Sequence, residues 1–175
     1  MSTIADDRLG GRSIVFGDSV NTDVIIPGRY LVSIDPQELA KHAFEPLGPE
    51  VQERLYASPV VVAGRNFGIN SSREQAVHVM HRLGVAAIIA PSFGRQFYRN
   101  AINNGMPVVE CDTAGIAAGD AVELDLAGGR ISVPARNIAR TVPPLPAAVQ
   151  ALLSAGGLIP FLQKHPDWNL GELAA

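Results

Sequence analysis

The residues best suited to chemistry lie in one short stretch, residues 66–74, which reads NFGINSSRE. It brings two hydroxyls, Ser71 and Ser72, next to the guanidinium of Arg73 at a predicted helix start. Unpaired backbone N–H groups and the helix dipole attract carboxylates or phosphates at such a place. The planar guanidinium can bind a carboxylate through two parallel hydrogen bonds. The stretch therefore indicates an anion site that also offers a hydroxyl for chemistry.

The same pattern is also typical of a purely structural helix start. Ser71 lies three residues before Glu74, and Ser72 lies three residues before Gln75, so either serine fits a capping box. A phosphate-binding loop is a weaker alternative, because the stretch lacks a Gly-Lys-Ser/Thr sequence. From these residues alone, the chemical and the structural interpretation both stay open.

The segments around this stretch predict a chain that alternates strands and helices. Runs of apolar, often β-branched residues predict strands over residues 12–17, 59–63, 85–90 and 107–111. Capping residues, helical spacing and glycine stops predict helices from the cap Asp35 to about Phe44, from Ser71 or Ser72 to Gly84, and over about Arg95–Asn104. The order implies parallel strands with right-handed crossovers. We expect an α/β fold with a mostly parallel sheet flanked by helices.

The pattern changes after residue 112, where an antiparallel hairpin is predicted. Residues 121–126 alternate apolar and acidic side chains, two glycines turn the chain, and residues 131–133 return. Helical segments follow at about 147–154 and 158–164, whereas residues 46–58 are predicted as a turn-rich connection with room for a helical turn. We expect a single domain over residues 1–175, with a core of about 10–142 and a C-terminal helical segment of about 143–175.

Composition excludes several classes of protein. The 175 residues are 47% hydrophobic and 18% charged, which is typical of a folded chain. The net charge of −3 gives no general attraction to nucleic acid. No apolar run approaches the roughly 20 residues of a membrane helix, and the polar first twelve residues lack the apolar region of a signal peptide. We expect a cytoplasmic protein that binds neither nucleic acid nor membrane.

Side chains that bind metals are scarce. Cys111 is the only cysteine, so this chain cannot hold an iron–sulfur cluster with its own thiolates, and we expect Cys111 to be buried at a strand end. His78 and His81 lie three apart on one predicted helix but have no evident carboxylate or thiolate companion, which favours a surface pair over a metal site. We therefore expect no cofactor or metal on this chain alone.

Several blocks, in order along the chain, resemble one family. Residues 17–31, GDSVNTDVIIPGRYL, are similar to the opening signature of isopropylmalate dehydratase small subunits. The NFG and SSRE blocks of residues 66–74 resemble the active-site loop of the wider aconitase superfamily, and SFGR with FYRNAINNG in residues 92–105 matches the next family block. The resemblance covers about residues 10–165. It implies an aconitase-type swivelling domain that closes over a four-iron–four-sulfur cluster held by a large partner subunit.

The resemblance also implies roles for individual residues. The first serine of the SSRE block, Ser71, would be the catalytic base, Arg73 would bind a substrate carboxylate, and Asp23 would orient them. A serine hydroxyl is a poor base, so it requires nearby positive charge and N–H donors that stabilise the alkoxide. For Asp23, a role as a turn residue stays open. The further substrate-binding candidates are Ser72, Arg29 and Val32.

The active-site stretch departs from the family pattern at two places. Gly68-Ile69-Asn70 stands where the family has a sequence such as Gly-Cys-Gly, and Gln75 replaces the usual histidine. Asparagine tolerates the left-handed backbone conformation, so we expect the turn to survive. Glutamine keeps a neutral hydrogen-bonding role but cannot carry a proton.

The resemblance implies a hydro-lyase subunit that is active only with its large subunit and acts on a small dicarboxylic hydroxy acid. Val32-Ser33-Ile34 follows the Arg-Tyr-Leu signature and offers no cation for a third carboxylate, so an apolar substituent is favoured. We expect the interconversion of 2-isopropylmalate and 3-isopropylmalate in leucine biosynthesis. Dimethylmalate, citraconate or citramalate, and homoaconitate are alternative substrates. A non-catalytic regulatory or binding subunit with the same fold is the alternative of another class.

Overall fold

The computed structural model describes residues 8–32 and 35–166, and a seven-stranded sheet organises them. The strands are β1 Arg8–Val15, β2 Val60–Val62, β3 Ala87–Ala90, β4 Val108–Glu110, β5 Ala121–Asp125, β6 Arg130–Val133 and β7 Ile138–Thr141. The helices are α1 Thr22–Ile25, α2 Pro36–Ala40, α3 Glu50–Ala57, α4 Gln75–Arg82, α5 Arg95–Asn103, α6 Ala147–Ala155 and α7 Leu158–Lys164. Short 3-10 turns cover Gly28–Tyr30, Glu45–Leu47 and Pro134–Arg136. Across the described part of the chain, no helix combines the length and the apolar character needed to cross a membrane.

The sheet has a parallel half and an antiparallel half, which meet at β1. Its order is β4-β3-β2-β1-β5-β6-β7. In β1, Ser13–Val15 run parallel to Val60–Val62, whereas Arg8–Arg12 run antiparallel to Ala121–Asp125. Parallel pairing continues through β2, β3 and β4, and antiparallel pairing continues through β5, β6 and β7. The predicted α/β fold and its hairpin are therefore confirmed, and β7 is a further antiparallel strand that the pattern did not predict.

Two apolar clusters cover the two faces of the parallel half. Side chains of a strand alternate between faces, so Val61 and Ile88 pack beneath the helices, while Val60, Val62 and Ile89 pack on the other side. On that second side, residues of β5 and β6 complete the cluster, because the sheet curls. Every residue of β2 and β3 is buried, which explains the uninterrupted apolar runs in the sequence.

Three predicted boundaries were wrong, each for a tertiary reason. The first strand begins at Arg8 rather than at residue 12, because β5 pairs with its first five residues. Helix α2, predicted to run to about Phe44, ends at Ala40, because Phe44 adopts a left-handed conformation and its N–H donates to the carbonyl of Ile25. The turn-rich connection, which was predicted with room for a helical turn, contains the eight-residue helix α3. The helix predicted from Ser71 or Ser72 begins only at Gln75. Helices α6 and α7 occupy the predicted C-terminal segment and contact α5, and the domain boundaries themselves stay a prediction.

Candidate active site

The loops that follow β1, β2 and β3 meet at the carboxyl ends of these parallel strands. The N–H of Gly68 donates to the carbonyl of Val20 (2.7 Å), and the N–H of Thr22 donates to the carbonyl of Ile69 (3.1 Å). The N–H of Gly94 donates to the carbonyl of Phe67 (2.8 Å). The carboxyl edge is where open α/β sheets bind their ligands. The NFGINSSRE stretch therefore lies at the expected place for a site.

Two glycines allow this close approach. Gly68 has a φ of +75°, and a side chain there would overlap the ring of Phe97. A Cβ on Gly94 would stand 2.5 Å from the carbonyl oxygen of Gly68. Asn70 has a φ of +79°, so the predicted left-handed turn is present without the family's second glycine. The turn directs the next three residues away from the loop and towards α4.

The segment Ser71–Arg73 lies outside α4, so the serines do not cap it. The residue before α4 is Glu74, and no side chain caps the helix. Among the described residues, the hydroxyls of Ser71 and Ser72 have no hydrogen-bond partner, nor do the N–H groups of residues 71–73. The capping-box interpretation is therefore wrong. The predicted free N–H groups are present, but the helix dipole begins several residues later than expected.

An open pocket of about 290 Å³ borders these hydroxyls. It is lined by residues 68–72 and by Gly94, Arg95 and Gln96. Ser71 is partly buried and Ser72 is exposed. A larger open pocket of about 570 Å³ lies farther along the same edge, between Asp18, Arg65 and residues 110–114. We place the candidate site in the smaller pocket because it alone of the two contains predicted site residues.

Arg73 reaches back across the loop to Asp23. Its Nη1 donates to the Asp23 carboxylate at 2.5 Å, and the carbonyl oxygen of Ile26 is 3.5 Å away. The hydrogen bond from Arg73 lowers the pKa of Asp23 against a smaller opposing effect of burial, with help from the Arg73 charge and the N–H of Gly28. Asn21, rather than Asp23, caps α1 by accepting from the N–H of Val24. Asp23 and Arg73 are thus brought together, as the family resemblance implies.

Arg29 and Val32 lie on a neighbouring surface segment. The Arg29 guanidinium pairs with Glu45 at 2.8 Å and lies over the ring of Tyr30. The Tyr30 ring stacks on His42, with ring centroids 3.7 Å apart. Val32 is 93% exposed, and Ser33 and Ile34 lie outside the described residues. The substrate-binding roles of Arg29 and Val32 stay predictions.

Arg95 is a pocket residue that the sequence reasoning did not select. It is the first residue of α5, is exposed, and makes no ion pair with any described residue. The sequence did contain a signal for Arg95 as a site residue, because the SFGR block, residues 92–95, comes just after the buried strand β3. The carboxyl end of β3 lies beside that of β2, where residues 66–74 begin. A cation there could have been expected next to the serines.

The described residues offer no metal-binding cluster. No group of three or more histidine, cysteine, aspartate or glutamate side chains is close enough to hold an ion in that part of the chain. Cys111 is buried, and burial raises the pKa of its thiol. His78 and His81 bond instead to Asn104, through its side-chain oxygen (3.0 Å) and its carbonyl (2.9 Å). Burial lowers the pKa of His81.

Taken with the fold, this site defines an α/β swivelling domain of the aconitase type. A family model described as the aconitase C-terminal domain matches residues 49–113. The 3-isopropylmalate dehydratase small subunit of Halothermothrix orenii is 47% identical over 87% of this chain and 93% of its own length. That of Caldicellulosiruptor saccharolyticus is 48% identical over 91% and 95%, respectively.

A solved structure gives the same result. The crystal structure of 3-isopropylmalate dehydratase from Methanocaldococcus jannaschii has a TM-score of 0.81 and 40% identity, covering 94% of this chain and 99% of that one. The chain belongs to the family of 3-isopropylmalate dehydratase small subunits. It is therefore the small subunit of a hydro-lyase that works with a large subunit.

Proposed function

We propose that this chain, bound to its large subunit, interconverts 2-isopropylmalate and 3-isopropylmalate by dehydration and rehydration, as in leucine biosynthesis. The observation that carries the proposal is Ser71, which has an unbonded hydroxyl and lines a pocket with Arg95 at the carboxyl edge of the sheet. It lies two residues before Arg73, which is bonded to Asp23. The names of the relatives support the choice of substrate. The cytoplasmic location favoured by the composition stays a prediction.

The four-iron–four-sulfur cluster belongs, in this proposal, to the large subunit. The described residues do not fit it, since the chain has one cysteine, which is buried, and they contain no cluster of metal ligands. When bound by the partner, the cluster would supply Lewis acidity to the substrate hydroxyl. The contribution of this chain is therefore acid–base chemistry and carboxylate binding.

Ser71 would act as the base. As an alkoxide, it takes a proton from the carbon next to the one that loses its hydroxyl, which leaves an enoate. Return of that proton to the carbon that lost the hydroxyl, with hydroxide added to the carbon that lost the proton, moves the hydroxyl by one carbon and restores the alkoxide. The charge of Arg95 and the unpaired N–H groups of residues 71–73 favour the alkoxide, because preorganised donors stabilise developing negative charge.

Two arginines suit a substrate with two carboxylates. Arg73 is fixed by Asp23 through one nitrogen, Nη1, which leaves its other N–H groups for a carboxylate. Arg95 offers a second guanidinium, in the pocket that Ser71 and Ser72 line. Ser72 is exposed beside them and can donate its hydroxyl. The Arg73 guanidinium, held by Asp23, can orient a bound carboxylate so that the neighbouring carbon is placed for proton removal.

The apolar Val32 favours an isopropyl or methyl substituent over a third carboxylate. Dimethylmalate and citraconate or citramalate remain the nearest alternative substrates, and homoaconitate follows them.

To test the function, the chain is co-expressed with a candidate large subunit that carries three cluster-ligating cysteines. Enoate formation is then followed by absorbance with each diacid. A stable complex without turnover on any of them would favour the non-catalytic regulatory or binding subunit.

A further inference from the structure

Asn100 of α5, and Asn104 directly after that helix, face the segment that carries the proposed base. Asn100 Nδ2 donates to the carbonyl oxygen of Ser72 at 2.9 Å, and Asn104 Nδ2 donates to Glu74 Oε1 at 2.7 Å. Residues four apart lie on one face of a helix, about 6 Å apart along its axis. Two residues of a non-helical chain span at most about 7 Å. The asparagine pair therefore matches the spacing of Ser72 and Glu74.

Asn100 supplies a backbone anchor for Ser71 and Ser72, in addition to the side-chain bond from Arg73 to Asp23. On its N-terminal side, the segment is anchored through Gly68 and Ile69, and on its C-terminal side α4 begins at Gln75. Between them, the described backbone groups of residues 70–72 receive one hydrogen bond from outside, the bond from Asn100. Without that bond, the backbone of the proposed base would be held only from Ile69 on one side and from the Arg73–Asp23 pair on the other.

The bond also fixes the direction of an N–H group. In a trans peptide, the carbonyl of one residue and the N–H of the next point in opposite directions. Holding the Ser72 carbonyl against α5 therefore turns the Arg73 N–H away from α5. That N–H has no partner among the described residues, so it remains available to an anion.

Asn104 holds the other end of the segment within a larger network. Its side-chain oxygen meets His78 Nε2 at 3.0 Å, and its carbonyl meets His81 Nε2 at 2.9 Å. A carbonyl oxygen only accepts, so His81 carries its proton on Nε2. The network ties Glu74, which directly follows Arg73, to the C-terminal end of α5. Helix α5 and the residue that follows it thus hold this stretch at two residues, Ser72 and Glu74.

We infer that Asn100, assisted by Asn104, is a positioning residue that fixes the Ser71–Arg73 segment for proton transfer and carboxylate binding. The inference rests on the proposed function, because it assigns a purpose to the orientation of Ser71 and Arg73. Neither asparagine is a catalytic residue, since each acts through the segment that it holds. A displacement of about 1 Å in such a segment can cost roughly a hundredfold in rate.

The test compares Asn100→Asp with Asn103→Ala. The first change keeps the size of the side chain but turns its donor into an acceptor that faces the Ser72 carbonyl. The control removes an asparagine from the same helix whose side chain makes no hydrogen bond to a described residue. With the reconstituted complex, we expect Asn100→Asp to lower kcat/KM roughly ten- to a hundredfold. The control should change kcat/KM less than twofold.

A second readout uses the small subunit alone and needs no activity. Backbone ¹⁵N relaxation should show that the order parameters of the Ser71, Ser72 and Arg73 N–H groups fall from rigid values, about 0.85, towards 0.6 in Asn100→Asp. They should stay unchanged in Asn103→Ala. The melting temperature should drop only by the 2–4 °C or so that one lost hydrogen bond costs. A merely structural asparagine would lower the melting temperature and leave these order parameters intact.

The possible results distinguish a failure of the positioning role of Asn100 from a failure of the proposed dehydratase function. Unchanged order parameters together with a kcat/KM equal to that of the control would overturn the positioning role while the dehydratase stays active. If Ser71→Ala retained full turnover, the proposed function of the segment would fail instead. A loss of order and of kcat/KM in Asn100→Asp, alongside an inactive Ser71→Ala, supports both.

Discussion

The active-site loop, residues 66–74, and the segment of residues 28–32 both lie at the carboxyl edge of the parallel strands, but different kinds of contact hold them in place. Residues 66–74 are tied to the β1 loop, the β3 loop and α5 by backbone and amide hydrogen bonds. Residues 28–32 are held by the Arg29–Glu45 pair, by the stacking of Tyr30 on His42 and by the packing of Tyr30 and Leu31 against the core. They end in Val32, whose side chain is almost fully exposed.

This difference separates two tasks. Hydrogen bonds within the chain preorganise the groups proposed to move a proton, which is where rate enhancement originates. The groups proposed to choose the substrate are exposed, and we expect the large subunit to complete the pocket around them. We therefore expect substitutions in the first region to change turnover and substitutions in the second region to change specificity.

The largest effect should come from removing the partner. The chain purified anaerobically with iron and sulfide should be colourless and show no hydratase activity, because one buried cysteine cannot hold a cluster. Absorbance spectra and the diacid assay check this expectation. Stoichiometric cluster absorbance in the isolated chain would contradict the division of tasks between the subunits.

Within the active-site loop, Ser71→Ala in the reconstituted complex should lower kcat by about 10²–10⁴ and change KM little, because a base acts in the transition state. Ser72→Ala is the matched control and should affect kcat less. Steady-state kinetics on isopropylmalate measures both. If the Ser72 variant lost more turnover than the Ser71 variant, the roles of the two serines would have to be exchanged.

In the exposed segment, Val32→Arg should lower kcat/KM for isopropylmalate roughly a hundredfold, because closure over the substrate would bury an unpaired charge. A substrate with a third carboxylate should gain, since the arginine then has a partner. The ratio of the two kcat/KM values measures the change. Ile159→Arg, at another exposed apolar position, is the control and should leave the ratio as it is. An unchanged ratio in Val32→Arg would show that Val32 does not line the pocket.

The smallest effect concerns the Asp23–Arg73 pair. Asp23→Asn should raise KM roughly tenfold, the cost of one hydrogen bond to a charged group, because Arg73 loses its fixed orientation. The pair also makes a small contribution to stability, at most about 1 kcal/mol, because water screens the half-exposed carboxylate of Asp23. The pKa of Asp23 is lowered in the folded chain, so that contribution is present above pH 4 or so and is lost as the pH falls through the lowered value.

Urea unfolding of wild type and Asp23→Asn at neutral pH and at about pH 3 measures this contribution. The difference in free energy of unfolding should shrink towards zero at the acidic end. Asp18→Asn serves as a control aspartate at the same edge of the sheet, and its KM should stay close to that of the wild type. A KM for Asp23→Asn equal to that of the wild type would make Asp23 a turn residue only.

Buried strands were predictable from the sequence, because a strand that is buried on both faces consists of consecutive apolar residues. The apolar runs at β2 and β3 predict their strands to within three residues, and Asn70 indicates the left-handed turn that it adopts. The start of α4 was not predictable. Ser71 and Ser72 fit a capping pattern, but Ile69 pairs with Asn21, some fifty residues away, and the Ser72 carbonyl accepts from Asn100, so the helix begins only at Gln75.

The supporting residues of the site left even less of a local signal. Asn100 reads as an ordinary polar position on a helix, and only the packing of α5 beside residues 72–74 shows that its amide has a partner. Strand β7 was not predictable from the sequence either. Its residues alternate between half-buried and exposed, so they do not form an apolar run. Both features depend on contacts between distant parts of the chain.

Strand β1 has a consequence for how the chain acquires its structure during synthesis. It precedes both of its partners, since its parallel partner β2 lies about 45 residues later and its antiparallel partner β5 more than 100 residues later. Pairings of such high sequence separation form slowly, because the entropy cost of closing a long loop comes before the contacts form. In the nascent chain, β1 therefore stays unpaired until residues 60–62 have been made, and its antiparallel part stays unpaired until residues 121–125 have been made. Chaperone capture or early encounter with the large subunit would act in that interval.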